Sequence, residues 1–291
     1  MGQYSIKELE KLSGIKAHTI RIWEKRYGLI SPSRTNTNIR LYSDHDLKKI
    51  INVAAVNNAG VKISHIAKYS ESELGQMVSQ YSEAVLAIAP IDQLIVAMVE
   101  LDEPAFEKVL SHLQLKTSFE DLVVNVIYPF LDKIGILWQT GNITPAQEHF
   151  ISNLIRQKII VAIDKLPFPG KEATKAVLYL NENEYHEIGL LFYHYLSKHQ
   201  GLRSIYLGQS VPYHDLKNVV DTHHPKFIIT SVVVSLETKK LRSYLHRIST
   251  DFKEQTILIS GRAIQPMDLK EFPNLKYFSS ASSLKDLISN T

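Results

Sequence analysis

Glu184, His186 and Gly189 form the pattern Glu-x-His-x-x-Gly in a polar turn, and the carboxylate and imidazole of this pattern could bind a ligand. A strand-like apolar run at 176–180 precedes the turn, and a helix-like apolar run at 190–196 follows it. A neutral imidazole can ligate a metal through one ring nitrogen while a neighbouring carboxylate orients the ring through the other. Strand-to-helix turns often bind ligands in α/β domains, but a histidine in a polar turn is more often only solvated. The pattern alone leaves a metal site and an ordinary loop open.

A second group of chemically capable residues lies upstream. Trp138 is followed by nine residues and then by Glu148 and His149. Pro145 indicates that a helix begins just before this acid, where a carboxylate is favourable in any case. A tryptophan at helical spacing is more often part of a helical core than of a ligand site. By themselves these residues predict only a helix start and a packed core.

The first quarter of the chain is basic. Residues 1–70 contain 12 Lys and Arg against 5 Asp and Glu, although the whole chain has a formal charge of only +3. Helical spacing on both sides of Gly14 predicts two helices joined by a tight turn, as in a helix-turn-helix. Residues 29–43 predict a β-hairpin whose tip is flanked by Arg34 and Arg40. This indicates a nucleic-acid-binding end, although a solvated basic surface would have the same composition.

The order of residues in this segment resembles the DNA-binding domain of the MerR family of transcription regulators. The matching residues are Arg21, Trp23, Glu24, Arg26, Tyr27, Gly28, Leu29, Pro32, Arg34, Arg40, Leu41 and Tyr42. The resemblance implies an all-α winged helix-turn-helix domain over residues 1–72 that binds a pseudo-palindromic operator. The implied DNA contacts are His18, Thr19 and Arg21 on the second helix, and Arg34, Arg40 and Tyr42 on the wing. The expected core residues are Trp23, Leu29 and Leu41. The alternative for an arginine such as Arg21 or Arg26 is an internal ion pair with Glu24 or Asp44.

Two further domains are predicted from hydrophobic periodicity. Residues 77–165 predict a four-helix bundle, whose first helix is expected to contain Val78, Leu86 and Ile88. After a linker with prolines and glycine, residues 172–291 alternate β-rich and helical runs, which predicts a Rossmann-like, doubly wound parallel sheet. The expected helix starts lie near Glu187, His214, Glu237, Ile264 and Leu284. Such sheets bind ligands at the carboxyl ends of their strands, where the histidine turn falls.

The histidine turn resembles the cobalamin-binding domain found in relatives of methionine synthase and methylmalonyl mutase. The matching residues are Glu184, His186, Gly189, Leu207, Gly208 and Pro212. In that family the histidine is the lower axial ligand of cobalt, and the glycine allows the corrin to approach. The resemblance further implies that Ser231 and Gly261 line the slot for the nucleotide tail.

The order of the three domains resembles that of the CarH/LitR light-sensing repressors. In that family a tryptophan packs on the upper face of the corrin and a Glu-His pair helps to hold the adenosyl group, and Trp138, Glu148 and His149 match these positions. The resemblance implies a repressor that binds adenosylcobalamin between the bundle and the sheet domain. It would bind double-stranded operator DNA as a homo-oligomer, either a dimer or a tetramer. The ligand, with or without light, would control assembly and so operator affinity.

Two positions depart from these families. The CarH/LitR family has a histidine directly after its tryptophan, whereas this chain has Gln139 at that position. An amide is a poorer cobalt ligand than an imidazole. Gly261 is followed by Arg262 where the family has a second glycine, and this cation could narrow the tail slot or bind a phosphate. A regulator that senses haem or a protein partner, or that binds no ligand, therefore stays open. A corrinoid-dependent methyl carrier or mutase subunit is a third alternative, which the basic first domain disfavours, so we expect no enzyme.

The composition excludes several other classes of protein. The chain has no cysteine, which excludes disulfides, thiolate metal sites and cysteine nucleophiles. No apolar run approaches the roughly 20 residues of a membrane span, and the N-terminal residues match neither a secretory nor a myristoylation signal. We therefore expect a cytoplasmic protein.

Overall fold

The computed structural model describes residues 3–35, 37–58, 60–80, 90–139, 143–233 and 237–290. The chain divides into two compact units, Met1–Leu154 and Ile155–Thr291. Leu86 and Ile88, expected in the first bundle helix, lie outside the described residues, as does the side chain of Val78. Within the described ranges, no helix is long and apolar enough to cross a membrane.

The first unit begins with a winged helix-turn-helix. Its helices are α1 (Ile6–Ser13), α2 (Ala17–Tyr27), α3 (Asp44–Asn58), α4 (Ile63–Ile66) and α5 (Glu71–Gln80), and its antiparallel strands are β1 (Gln3–Tyr4), β2 (Ser33–Arg34) and β3 (Arg40–Ser43) in the order β1-β3-β2. Ser5 and Glu8 form a reciprocal capping box that starts α1. Gly14 ends α1 at a φ of 72°, a left-handed conformation that favours glycine and turns the chain toward α2. The hairpin of β2 and β3 is the predicted wing.

The rest of the first unit is helical. Its elements are α6 (Pro90–Glu100), α7 (Glu103–Gln114), α8 (Phe119–Leu122), a π-helical turn (Val123–Ile127), α9 (Tyr128–Gln139) and α10 (Pro145–Asp164). α8, the π-helical turn and α9 follow one another without a break and form one continuous helical segment. Together with α6, α7 and α10, these elements therefore make four helical segments. Val78, which the sequence placed in the first bundle helix, lies in α5, and residues 81–89 lie outside the described ranges. The division into two units falls inside α10, whereas the sequence predicted a boundary in the linker after residue 165.

The second unit is a parallel sheet with helices. The strands are β4 (Lys175–Asn181), β5 (Arg203–Val211), β6 (Phe227–Ser231), β7 (Thr256–Ser260) and β8 (Leu275–Tyr277), and the helices are α11 (Glu187–His199), α12 (Tyr213–His223), α13 (Thr238–Asp251) and α14 (Ala281–Ser289). The strand order is β5-β4-β6-β7-β8, and every neighbouring pair is parallel. The central strands β4 and β6 are almost entirely buried, as expected for a parallel sheet that helices cover on both faces. The predicted doubly wound sheet is confirmed.

One predicted helix of the sheet unit is wrong. Residues 261–272 form turns where a helix was expected near Ile264. Pro266 has no backbone N–H and disfavours helical conformation at the preceding residue, so the turn hydrogen bond from Ile264 to the carbonyl of Gly261 is not continued into a helix. The other four helices begin within three residues of the expected positions.

Candidate functional site

The candidate ligand turn lies at the switch point of the sheet, where β5 continues the sheet on one side of β4 and β6 on the other. Glu184 is 5% exposed, and its Oε2 accepts a hydrogen bond of 3.0 Å from the backbone N–H of Val233, just after β6. Its Oε1 lies 2.5 Å from Nδ1 of His186 and accepts the backbone N–H of His186 at 3.2 Å. One buried carboxylate therefore joins the ends of two central strands, in the crevice where such sheets bind ligands.

His186 is placed to ligate a metal through a single nitrogen. Because Glu184 takes Nδ1, a metal bound by this histidine would bind Nε2, and the carboxylate would fix the tautomer. The imidazole is 59% exposed, so a ligand could reach it. Among the described residues, no group of three or more His, Cys, Asp or Glu could hold a metal ion. One imidazole suits a metal whose other ligands come from a macrocycle.

Gly189 fits the same kind of ligand. It is the third residue of α11, where glycine costs roughly 0.5–1 kcal/mol relative to alanine. A β-carbon there would meet only the Tyr193 side chain, at an ordinary contact distance of 3.8 Å to the hydroxyl. The protein's own packing therefore does not require glycine at this position. Because glycine has no side chain, a flat ligand could approach the first turn of α11 closely. The residues present therefore fit a tetrapyrrole.

The two expected tail-slot residues lie at neighbouring strand ends. Ser231 ends β6, is 4% exposed and pairs with Ser260 of β7. Gly261 follows β7 at a φ of 112°, and a β-carbon there would overlap the backbone of Val232. Gly261 thus has a packing function in the fold itself, which the sequence did not reveal. The Arg262 side chain, next in the chain, is exposed.

Glu187 is a residue of this site that the sequence-based inference missed. Its Oε1 accepts a hydrogen bond of 2.9 Å from the Tyr206 hydroxyl on β5, and its Oε2 lies 3.3 Å from Nε of Arg156 on α10. Burial, together with the Glu187 carboxylate, raises the pKa of Tyr206. The only available sequence signal was an acid at the first position of a predicted helix, directly after the histidine.

The first unit contains the other expected cofactor residues. Trp138, near the end of α9, is 49% exposed although the adjacent Leu137 is buried, so the alternative of a core tryptophan does not hold. Glu148 lies in the first turn of α10, where it accepts a hydrogen bond of 2.5 Å from Ser152 and lies 2.8 Å from Nδ1 of His149. The His149 side chain is exposed. An exposed indole, an exposed imidazole and a half-buried carboxylate are groups that could contact a ligand. The side chain of Gln139 lies outside the described residues.

Several expected DNA contacts are accessible on the winged domain. His18 and Arg21 are exposed on the N-terminal half of α2, and Thr19 is half-buried beside His18. Arg34 is exposed on β2, and its guanidinium donates a 2.6 Å hydrogen bond to Asn38 across the hairpin tip. These side chains lie on the two elements, recognition helix and wing, that winged helix-turn-helix proteins place on DNA.

Two wing residues differ from the expectation. Tyr42 is fully buried and donates a hydrogen bond of 3.3 Å to Glu24, so its assignment as a DNA contact is wrong. Burial, with the Glu24 carboxylate, raises the pKa of Tyr42 to about 12. Arg40 is half-buried, and its Nε lies 3.0 and 3.2 Å from the two Glu24 oxygens, so the internal ion pair is made by Arg40 rather than by Arg21 or Arg26. Glu24 joins α2 to the wing. Of the three expected core residues, Trp23 and Leu29 are buried, whereas Leu41 is only half-buried.

Two protein families match separate parts of the chain. Residues 4–73 match the MerR HTH family of regulatory proteins, which coincides with the winged helix-turn-helix. Residues 90–162 match a B12 binding domain. This second match lies on α6 to α10, the helical segment that contains Trp138, Glu148 and His149.

Similar proteins of known name extend over most of the chain. The HTH-type transcriptional repressor CarH of Myxococcus xanthus is 29% identical over 256 residues, which cover 84% of each chain. The HTH-type transcriptional repressor CarA of the same organism is 25% identical and covers 82% of this chain and 80% of its own. The monomethylamine corrinoid protein of Methanosarcina barkeri covers 67% of this chain and 94% of its own, with a TM-score of 0.56. At 14% identity, this last likeness supports the fold alone.

Proposed function

From the MerR regulatory domain and the B12-binding domain that this chain carries, we propose that it is a DNA-binding transcriptional regulator controlled by a bound cobalamin. The observation that carries the proposal is the buried Glu184 carboxylate, which holds Nδ1 of His186 at the switch point of the sheet. The two long relatives are repressors by name, which favours repression as the direction of control. The chain would act as a regulator and not as an enzyme.

Adenosylcobalamin is the form of the cofactor that we propose. When bound, a cobalamin would supply a cobalt centre that an imidazole can ligate. His186 would bind through Nε2, Glu184 would hold the ring, and Gly189 would leave room for the macrocycle. We also propose Trp138, Glu148 and His149 as cofactor contacts, and Ser231 and Gly261 as contacts of the nucleotide tail.

The DNA-binding part of the proposal follows from the winged domain. The N-terminal half of α2 would enter the major groove with His18, Thr19 and Arg21, and Arg34 on the wing would contact phosphate. The protein would bind its operator as a homo-oligomer. A ligand changes operator affinity only if it binds the DNA-competent state and the alternative state with different affinities. A cobalamin that changes the assembly would satisfy this condition.

One observation favours a second candidate. Arg262 places an exposed cation directly after Gly261, where the related cobalamin domains have a small residue. This favours a regulator of the same architecture that senses another tetrapyrrole such as haem, or a protein partner.

An absorption spectrum separates these candidates. The protein would be purified in the dark, incubated with adenosylcobalamin and freed of unbound cofactor, and its spectrum recorded before and after green light. DNA selected from random duplexes for binding would then be titrated with the loaded and cofactor-free protein. We expect a retained corrin spectrum and a different operator affinity in the two states. A light-induced spectral change would make light the signal despite Gln139, and an unchanged spectrum would indicate a chemical sensor. If no corrin is retained, the cobalamin proposal is wrong, and haem is tested next.

Exposure of the basic side chains gives a prediction for DNA binding. We expect Arg34→Ala to weaken binding to all duplexes by about tenfold and to reduce the slope of log affinity against log salt by about 1, because one phosphate contact is lost. Tyr42→Phe is expected to change affinity less than about twofold, since the buried hydroxyl contacts Glu24 and not DNA. Lys239→Ala, an exposed charge in the sheet unit, is the matched control. Fluorescence anisotropy at several salt concentrations measures both quantities, and an unchanged salt slope for Arg34→Ala would remove the wing from the interface.

A further inference from the structure

His186 lies at the centre of a tight backbone turn. Its φ of −77° and ψ of 69°, with a 2.8 Å hydrogen bond from the Glu187 N–H to the Tyr185 carbonyl, are those of an inverse γ-turn. This conformation belongs neither to β4 before it nor to α11 after it. The direction of the imidazole therefore depends on what holds the residues on both sides of the turn.

Each side of the turn is held by a carboxylate. Glu184 binds the imidazole and the backbone of Val233, as described above. On the other side, Glu187 is the first residue of α11, where a negative charge is favoured by the helix dipole. Its side chain is 15% exposed and reaches Tyr206 on β5 with one oxygen and Arg156 on α10 with the other. Glu187 thus connects the turn to β5 and to the C-terminal part of α10, which belongs to the second unit.

The contact with Arg156 helps to align α10 with α11. Near the other end of both helices, Nζ of Lys198 donates a hydrogen bond of 3.2 Å to the carbonyl of Ile163. The two contacts occur in the same order along both helices, so the C-terminal half of α10 runs parallel to α11. Lys198 lies beside the negative end of the α10 dipole, which favours this arrangement. A shift of α10 along its axis would therefore pull on Glu187.

Tyr206 makes the Glu187 carboxylate part of a packed cluster. The Tyr206 ring stacks on His194 of α11, with ring centroids 4.9 Å apart. Burial lowers the pKa of His194 to about 4, so this imidazole is neutral at pH 7 and acts as a packing surface. The stacked rings hold β5 against α11. The Glu187 carboxylate is therefore positioned by its own helix α11, by Tyr206 on β5 and by Arg156 on α10.

We propose that Glu187 is a positioning residue for His186, fixing the ligand turn to β5 through Tyr206 and to α10 through Arg156. The inference rests on the proposed cobalamin function, because positioning matters only if His186 binds a ligand. By linkage, docking of the C-terminal half of α10 would strengthen ligation at His186, and ligation would strengthen the docking by the same factor.

Glu187→Gln and Arg156→Gln test the proposal in the full chain. Without any cofactor, we expect each variant to raise the rate of hydrogen exchange of the amides at 185–189 by about fivefold, because Glu187 and Arg156 no longer form an ion pair. With adenosylcobalamin, we expect about tenfold weaker binding, the lower end of the effect of partners that orient metal-ligating histidines. In the reduced Co(II) form, protein labelled with ¹⁵N-histidine should show weaker hyperfine coupling to the imidazole. Arg156→Lys should retain most of the wild-type behaviour.

The controls separate positioning from general stability and from the proposed function. Asp215→Asn removes an exposed acid from the first turn of α12 in the same unit, and we expect exchange at 185–189 to stay at the wild-type level. The double variant of Glu187 and Arg156 should be no worse than either single variant, since one contact is lost in all three. Additive effects, or exchange within twofold of wild type in Glu187→Gln, would overturn the proposal. If the wild-type chain retains no adenosylcobalamin, the function fails, while the cofactor-free exchange still decides whether Glu187 holds the turn.

Discussion

Replacing His186 with alanine is expected to lower the affinity for adenosylcobalamin by about 100-fold or more. The reason is that the variant would lose the ligating imidazole itself, whereas loss of a partner that only orients such a ligand already costs about 10–100-fold. We therefore expect Glu184→Gln, which keeps the shape of the side chain but removes its charge, to fall in that lower range. Equilibrium dialysis measures the affinity, and the absorption spectrum of the residual complex reports the change in ligation by His186.

The matched control for this experiment is His246→Ala. His246 is an exposed histidine on α13 of the same unit, so its replacement changes the composition identically and should leave binding unchanged. If His186→Ala retains both the affinity and the spectrum of the wild type, the imidazole is not a ligand. The contact between Glu184 and His186 would then only stabilise a polar turn. This is the alternative that the Glu-x-His-x-x-Gly pattern left open.

The position of this turn was predictable because it depends on local sequence. Runs rich in β-formers at 176–180 and 227–234 are long enough for buried strands and too short for helices, and polar residues bound each run. The alternation with helices then requires a parallel sheet, and the carboxyl ends of its strands must share one edge. The exact partner of Glu184, the backbone N–H of Val233, depends on strand order, which the sequence-based inference did not specify.

The failures have a common physical cause. Tyr42 was assigned to DNA from its place in a motif, but its side chain is buried and its hydroxyl contacts Glu24, eighteen residues away. Glu187 was overlooked because Arg156 and Tyr206 become its neighbours only after α10 and β5 have packed around α11. Periodicity describes one element at a time, so it cannot reveal a side chain whose function is to join elements.

Gly261 shows how one residue can serve the fold and the site together. The resemblance made it a lining residue of the tail slot, whereas the structure places its α-carbon against the Val232 backbone. Val232 donates its N–H to the Ser260 carbonyl at 3.0 Å and accepts the N–H of Ala263 at 3.3 Å, so the two loops after β6 and β7 interlock. The next residue of the first loop, Val233, supplies the N–H that Glu184 accepts. The packing at Gly261 therefore supports the carboxylate that holds the histidine.

We accordingly expect Gly261→Ala to lower the free energy of unfolding of the sheet unit by about 3 kcal/mol, since a strained positive φ costs about 1–3 kcal/mol and steric overlap adds to it. A β-carbon would lie 2.6 and 2.8 Å from the carbonyl carbon and nitrogen of Val232, which are backbone atoms that cannot rotate away. Urea unfolding followed by circular dichroism measures the loss. Gly170→Ala is the control, because no atom lies within 4 Å of a β-carbon there, and it should stay within about 0.5 kcal/mol of wild type.

The same substitution should also weaken cofactor binding by moving Val233 away from Glu184. The chain can relieve the overlap only by separating the loops after β6 and β7, and that movement lengthens the hydrogen bond that fixes the Glu184 carboxylate. A variant that loses stability but binds adenosylcobalamin with wild-type affinity would show that Glu184 is held without Val233. A loss of less than about 1 kcal/mol would show that the loops adapt, since a clash with rigid backbone belongs among the larger single-substitution effects. The expected pairing of both losses follows from the geometry, because one backbone segment contacts the glycine and the carboxylate.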